Sequence, residues 1–171
     1  KMYAYHFEGY WKDVGTISSL WEANMEVLDP EHSGINLFDE NWKIYSRNSG
    51  MTGHKVGSDA VIQNSMITDG CRINGTVKHS ILFSGVKVEK GARVEDAVVM
   101  GGTVIKAGAV VEHCIVAEKV VIGEHATVGA MPKDGSHGVA TIGSGITIGK
   151  DAKIGPNAMV NKNVEDGEEQ W

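Results

Sequence analysis

Aliphatic side chains recur every five or six positions over most of this chain. The eighteen members of the series are Val56, Ile62, Ile67, Ile73, Val77, Leu82, Val88, Val94, Val99, Ile105, Val111, Val116, Ile122, Val128, Ile142, Ile148, Ile154 and Val160. An amphipathic helix would repeat every 3.6 residues and a half-buried strand every two, so neither matches. The period predicts a parallel β-helix built from six-residue units, each forming one flat face of a triangular coil. Coils stacked about 4.8 Å apart would make a prism of roughly six turns.

Small side chains follow many of these aliphatic residues at a distance of four positions, where the coil turns a tight corner. They are Ala60, Cys71, Ala92, Ala109, Ala126, Ala152 and Ala158. The second cysteine, Cys114, also falls on an apolar position of the repeat. Two cysteines do not make a disulfide framework, so we expect buried thiols and a reducing compartment.

One column of polar residues follows from the same spacing. Between residues 77 and 128 the repeat shortens to 17 residues per coil, and His79, Asp96 and His113 share that separation. They are therefore expected to stack. A stacked His–Asp–His column is consistent with a metal or anion site. It is also consistent with a solvated edge that holds one weak ion pair. We favour this second interpretation, because exposed ion pairs contribute little to stability.

The first third of the chain shows a different pattern. Alternating aromatic residues predict a strand at 3–7, and another short strand is expected at 41–45. Between them Thr16 is a plausible N-cap for a helix that Pro30 would end. The apolar face of that helix consists of Ile17, Leu20, Trp21, Asn24 and Leu28.

Composition separates the two parts further. Glycine accounts for 22 of the 171 residues, about twice the usual share of roughly 7%. Nine of the eleven aromatic residues lie within residues 1–55.

The net charge of −6 and the absence of a basic block argue against a nucleic-acid role. No apolar run of about 18 residues occurs, so no transmembrane helix is expected, and residues 1–5 show neither the apolar stretch nor the cleavage site typical of a signal peptide. A strand so close to the first residue leads us to expect that a preceding segment has been removed.

Asp13 is a candidate for chemistry, although its local motif on its own favours a structural role at the start of the helix. It lies in the predicted strand-to-helix connection, with Gly9 and Gly15 on either side. Carboxylates in such loops bind Mg²⁺ together with substrate phosphates. The alternative is that Asp13 caps the helix or interacts favourably with its dipole.

Several segments together carry a resemblance to a known family. They are FEGYWKDVGT at residues 7–16, SLWEANM at 19–25, NSMI at 64–67, GCRINGTV at 70–77 and HSILFSGV at 79–86. These segments closely resemble the C-terminal part of bacterial glucose-1-phosphate adenylyltransferases, also called ADP-glucose pyrophosphorylases. The resemblance covers essentially the whole chain. It does not include the N-terminal nucleotidyltransferase domain of that family, with its Gly-rich nucleotide loop.

The resemblance implies a mainly β fold with two unequal parts. Residues 1–30 would be the C-terminal edge of an α/β nucleotidyltransferase domain, a strand–helix remnant carrying a metal-binding loop. Residues 31–55 would form a connector, and residues 56–165 a left-handed parallel β-helix (a hexapeptide-repeat solenoid) with a loop at 130–138. The acidic tail, 166–171, is expected to fray. The apolar face of the first part is expected to be exposed, because the domain on which it would pack is missing.

The resemblance also implies an activity and a set of site residues. The family joins glucose 1-phosphate and ATP to give ADP-glucose and pyrophosphate for glycogen synthesis. Asp13 matches the second of two Mg²⁺-binding aspartates and would be catalytic, which favours a catalytic subunit over a related one without the metal site. Glu8, Tyr10 and Trp11 are candidates for the sugar side of the substrate pocket, or for core packing. The fragment alone is expected to be inactive.

Partners follow from the same resemblance. The parent enzyme would be a cytoplasmic, allosteric homotetramer, or would assemble with a related second subunit, and would use Mg²⁺. No nucleic acid or membrane is implied. Basic residues considered for an effector site, or for ordinary surface solvation, are Lys43, Arg47, Arg72 and Lys78.

Two other enzyme classes share the predicted solenoid. A hexapeptide acyltransferase would bind acyl-CoA between coils and use a histidine as general base, for which His113, His125 and His137 are available. The segment at residues 9–16 does not fit that class. A guanylyltransferase acting on mannose 1-phosphate is the second alternative, and the segment at residues 75–86 favours the adenylyl enzyme.

Overall fold

Two short helices precede a long run of strands in the computed structural model, which describes residues 1–46, 48–133 and 138–171. The helices are α1 (Ile17–Glu26) and α2 (Pro30–Ser33). The strands are β1 (Lys55–Val56), β2 (Val61–Gln63), β3 (Met66–Ile67), β4 (Arg72–Ile73), β5 (Thr76–Lys78), β6 (Ile81–Leu82), β7 (Lys87–Val88), β8 (Arg93–Val99), β9 (Val104–Ile105), β10 (Val110–Val116), β11 (Val121–Ile122), β12 (Thr127–Val128), β13 (Ala140–Ile142), β14 (Thr147–Ile148), β15 (Lys153–Ile154), β16 (Met159–Val160) and β17 (Glu169–Gln170).

The strands stack into three parallel faces of a solenoid. The first face runs in the order β1, β4, β7, β9, β11, β14. The second runs β2, β5, β8, β10, β12, β15, β17, and the third is formed by β3, β6, β13, β16 and the second halves of β8 and β10. This confirms the predicted mainly β, parallel solenoid. The left-handed direction of coiling stays an inference from the family resemblance.

Strand register confirms the 17-residue coil in the middle of the solenoid. Val94 pairs with Val77 on one side and with Val111 on the other, each 17 residues away. Strands β8 and β10 continue around the corner between the second and third faces without interruption. The corner residues are Asp96, at φ 49°, and His113, at φ 45°. Aspartate and histidine adopt this left-handed conformation more readily than bulky residues do.

The aliphatic series lines the interior of the prism, as predicted. Ile105 and Ile122 are fully buried and lie directly above one another in the β9–β11 pairing. Both cysteines, Cys71 and Cys114, are buried free thiols. Side chains that alternate with this series point outwards, as the two-residue alternation of strands requires.

The first coil is more open than the others. Val56 is 44% exposed and Ile62 is 38% exposed, although both occupy inward positions of the repeat. In the described part of the chain no further strand stacks beyond β1 and β2. Their outer sides therefore lack the cover that each later coil receives from its neighbour.

Helix α1 packs against the outside of the third face. Met25 is 6% exposed, and its neighbours include Ile81, Val98 and Ile115 on adjacent strands. The expectation that the helix presents an uncovered apolar face is therefore wrong, because the solenoid itself provides the partner surface. The segment before the helix matches the expectation better, since Trp11 is 76% exposed.

Three local predictions are corrected by the structure. Residues 3–7 and 41–45 form no strand, because neither segment has a neighbouring strand to complete its backbone hydrogen bonds. The acidic tail does not fray: β17 pairs with β15, and Lys153 Nζ lies 2.7 Å from Glu169 Oε1.

Across the residues placed by the structure, no helix has the length and apolar character needed to cross a membrane.

Candidate functional site

The N-terminus of α1 presents Asp13 at the surface. Thr16 caps the helix: its hydroxyl accepts from the backbone N–H of Ser19 at 3.1 Å, and the Ser19 hydroxyl accepts from the Thr16 N–H at 3.1 Å. This reciprocal capping box confirms the predicted N-cap. One turn earlier, the Gly15 N–H donates to Asp13 Oδ1 at 2.8 Å. Asp13 is therefore an exposed carboxylate in a tight turn directly before the helix.

Tyr10 and Lys12, which precede Asp13, form hydrogen bonds with side chains of α1. Lys12 Nζ lies 3.0 Å from Glu22 Oε2 and 2.5 Å from Glu26 Oε1. The Tyr10 hydroxyl donates to Glu26 Oε2 at 2.7 Å. The hydrogen bond with Glu26 raises the pKa of Lys12, and the same bond, followed by that from Tyr10, lowers the pKa of Glu26. The loop is thus fixed to one turn of the helix by three hydrogen bonds.

Two of the three candidate substrate residues line a common groove. Glu8 and Tyr10 lie beside Asp39 and Trp42 in an open groove of about 420 Å³. Trp11 is not among its lining residues and is largely exposed to solvent. The core-packing alternative is therefore not met for Trp11 in this chain.

The chemistry of the Asp13 turn is compatible with a magnesium ion. One carboxylate oxygen is held by the Gly15 amide, and within the described residues no hydrogen bond engages the other. Mg²⁺ commonly takes one or two protein carboxylates and completes its shell with water and phosphate oxygens. Asp13 therefore fits one ligand of such a site, and the remaining ligands would come from elsewhere.

The predicted polar column exists, but its environment differs from the favoured interpretation. His79 Nδ1 lies 2.5 Å from Asp96 Oδ1, so these two residues do stack as expected. His113 is only 2% exposed, because the ring of Trp21 covers it at a centroid distance of 4.4 Å. A solvated edge is therefore wrong for His113. The described residues also contain no group of three or more His, Cys, Asp or Glu side chains placed to hold a metal ion.

The candidate basic residues are not brought together. Lys43 lies in the connector, Arg72 in β4 on the first face and Lys78 in β5 on the second. Arg47 lies outside the residues that the structure describes.

The histidines proposed as general bases also lie in different environments. His113 is buried at the corner beneath α1, whereas His125 is exposed. His137 falls outside the described residues, as do residues 134–136 of the predicted loop at 130–138.

Comparison with known families decides the relationship of the solenoid. A family model described as "GlmU-like, C-terminal hexapeptide" matches residues 49–149, more than half of the chain. The chain belongs to this family. A second family model, described as "Nucleotidyl transferase", matches residues 1–30. The hexapeptide family thus covers most of the strands, and the second match covers the Asp13 turn and α1.

Individual relatives extend this result. The chain is 53% identical over 90 residues to a glucose-1-phosphate adenylyltransferase of Clostridium botulinum (strain Eklund 17B / Type B), a match covering 53% of this chain and 23% of that protein. It is 54% identical over 92 residues to one of Bacillus mycoides (strain KBAB4), covering 54% of this chain and 24% of that protein. The matched segment thus spans about a quarter of the length of these curated relatives.

Among solved structures, the acetyltransferase domain of PglB from Neisseria gonorrhoeae FA1090, in complex with acetyl coenzyme A, is similar with a TM-score of 0.49. The identity is 18%, over 70% of this chain and 54% of that one.

One contact at this site could not be read from the sequence pattern. The indole N–H of Trp21 donates to the backbone carbonyl of Asp96 at 2.7 Å, linking residues 75 positions apart. The helical spacing placed Trp21 on the apolar face, and the 17-residue spacing placed Asp96 in the column. Nothing in either pattern indicated that the two would meet.

Proposed function

We propose that this chain is the C-terminal assembly and regulatory part of a glucose-1-phosphate adenylyltransferase of the catalytic type. Such an enzyme makes ADP-glucose and pyrophosphate from ATP and glucose 1-phosphate, for glycogen synthesis. The observation that carries the proposal is the 53% identity over 90 residues to a relative with that name. The match of residues 1–30 to nucleotidyl transferases supports it, since this segment includes the candidate metal ligand Asp13.

Asp13 would hold Mg²⁺ together with a carboxylate from the nucleotidyltransferase domain. When bound, the ion would neutralise charge on the reacting phosphates and align them for attack on the α-phosphorus of ATP. The contribution of this chain is positional. The Gly15 amide fixes one carboxylate oxygen of Asp13. The Lys12 hydrogen bonds to Glu22 and Glu26 hold the preceding residue against the helix.

The groove beside Tyr10 is the proposed contribution of this chain to the sugar side of the pocket. Glu8 offers a carboxylate to sugar hydroxyls, and Tyr10 is already oriented by its hydrogen bond to Glu26. Trp11 would act from outside this groove, against substrate or the preceding domain. The Trp11 side chain is largely exposed, and such a contact would bury its apolar surface.

The solenoid would serve assembly and regulation in a cytoplasmic enzyme. The proposed partners are the nucleotidyltransferase domain of the same protein and further subunits of a tetramer, identical or of a related second type. Lys43, Arg47, Arg72 and Lys78 remain the proposed candidates for contacts with a phosphorylated effector. Of these, Arg72 pairs with Lys55 of the neighbouring strand on the first face, and this basic pair supports its candidacy.

The isolated chain is proposed to be inactive, because one carboxylate cannot align two phosphates without its partner domain. The test measures pyrophosphate release from ATP and glucose 1-phosphate with Mg²⁺. The purified chain is compared with the longer protein in which, on this proposal, it follows a nucleotidyltransferase domain. We expect release and ADP-glucose only from the longer protein. Turnover by the chain alone, or of acetyl-CoA in place of ATP, would contradict the proposal.

A further inference from the structure

The corner of the solenoid makes a specific contact with helix α1. The Trp21 indole N–H donates to the backbone carbonyl of Asp96 at 2.7 Å. The Trp21 ring also lies on His113, with ring centroids 4.4 Å apart and planes at 58°. One tryptophan therefore contacts two successive coils at the same corner.

The backbone conformation of that corner is stabilised by a side-chain contact between neighbouring coils. Asp96 and His113 both have left-handed backbone conformations, which direct β8 and β10 from the second face to the third. The Asp96 carboxylate is held by His79 from the coil below at 2.5 Å. The carbonyl that receives the Trp21 hydrogen bond is thus part of a fixed corner rather than of a loose loop.

Apolar contacts on both sides of Trp21 extend the interface. Met25, one turn later on α1, packs with Ile81, Val98 and Ile115. These three side chains lie at equivalent positions of adjacent coils, since Ile81 pairs with Val98 and Val98 with Ile115. The helix therefore spans three coils of the third face.

The other side of α1 holds the Asp13 loop. Glu22 and Glu26 follow Trp21 and Met25 directly in the helix and bind Lys12, with Glu26 also accepting from Tyr10. An unbroken series of contacts thus connects the solenoid corner, through α1, to the residue before Asp13. No other element lies between them in this series.

We propose that Trp21, Asp96 and His113 are positioning residues: the solenoid corner fixes α1 and thereby the place of the Asp13 carboxylate. The role of Asp13 in this statement rests on the proposed function, whereas the mechanical connection does not. As a consequence, a substitution at this corner of the solenoid would shift the Asp13 loop through its effect on a single helix, α1. The corner would act on the reaction without touching substrate.

Amide hydrogen exchange of the chain tests the mechanical part. His113→Asn keeps a residue type that tolerates the left-handed backbone but removes the ring beneath Trp21. His125→Asn is the matched control, since His125 also has a left-handed backbone, at φ 58°, and is exposed. For His113→Asn we expect exchange in residues 10–26 to rise at least about fivefold, with distant strands such as β14 unchanged. Equal rates for the two variants, or equal acceleration throughout the solenoid, would overturn the proposal.

A second arm uses Trp21→Phe in the longer protein, with Trp171→Phe as control because Trp171 is 79% exposed and belongs neither to the α1 interface nor to the groove beside Tyr10. Phenylalanine keeps a six-membered aromatic ring and loses the N–H donor together with the five-membered ring that carries it. We expect the Mg²⁺ concentration for half-maximal activity to rise about threefold or more, with little change in the maximal rate. If Asp13→Asn abolishes the activity while Trp21→Phe leaves the Mg²⁺ dependence unchanged, the positioning role is refuted. Activity that survives Asp13→Asn would instead refute the proposed function and leave the exchange result standing.

Discussion

Replacing Ile105 by alanine tests whether the six-residue period builds a close-packed interior. Ile105 is fully buried between Val88 and Ile122, its partners in the β7 and β11 strands. The substitution removes three carbon groups, each worth about 0.8 kcal/mol of transfer free energy. The cavity left in a rigid stack adds to this, so we expect the free energy of unfolding to fall by about 4 kcal/mol.

Urea unfolding followed by far-UV circular dichroism measures this loss. Val104→Ala is the matched control, because Val104 precedes Ile105 in the same strand but is only partly buried. We expect the control to cost less than about 1 kcal/mol. Ile105→Val, expected to cost about 1 kcal/mol, keeps the experiment informative if the alanine variant does not fold. Similar losses at Ile105 and Val104 would show that the inward and outward positions are wrongly assigned.

Three further predictions concern backbone, thiol and charge. Gly129→Ala should destabilise by at least about 2 kcal/mol in urea unfolding, because its φ is +73° and a Cβ would collide with the Glu112 carbonyl; Gly145→Ala, with φ +72° and open space, should cost about 1 kcal/mol. Burial raises the pKa of Cys114, so iodoacetamide should label it only after unfolding. Stability should also fall as the pH rises above about 8.5, where the unfolded thiol ionises. Glu26→Gln should cost about 0.5 kcal/mol at neutral pH and nothing at low pH, since the lowered pKa of Glu26 gives stability that is lost on acidification; a pH-independent difference would contradict this.

The solenoid was predictable because its interior repeats. Each coil must bury an aliphatic side chain at the same position, and a 17-residue separation in sequence becomes one step in space. The column of His79, Asp96 and His113 followed from this rule, and the register confirms it. The helix cap at Thr16 was equally local, since it depends on residues three positions apart.

Contacts between the two parts of the chain could not be predicted in this way. The docking of Trp21 on Asp96 depends on the orientation of a helix relative to a distant corner, and no local pattern encodes that orientation. The error at His113 has the same origin, because a column at a corner appears solvated until the element covering it is known. The strand expected at residues 3–7 failed for a related reason: alternating aromatic residues indicate two faces but provide no partner strand.

The most direct test of the proposed function is ADP-glucose formation by the longer protein carrying Asp13→Asn. Asp59→Asn is the control, since Asp59 is an exposed carboxylate on the solenoid, away from α1. Asparagine keeps the size of the side chain and its ability to accept from the Gly15 amide but removes the charge that Mg²⁺ requires. We predict a rate lower by at least about a hundredfold for Asp13→Asn, at saturating ATP and glucose 1-phosphate, and an unchanged rate for the control. Equal rates for the two variants would contradict the assignment of Asp13 to the metal site, and failure of the unmodified protein to form ADP-glucose would contradict the proposed function.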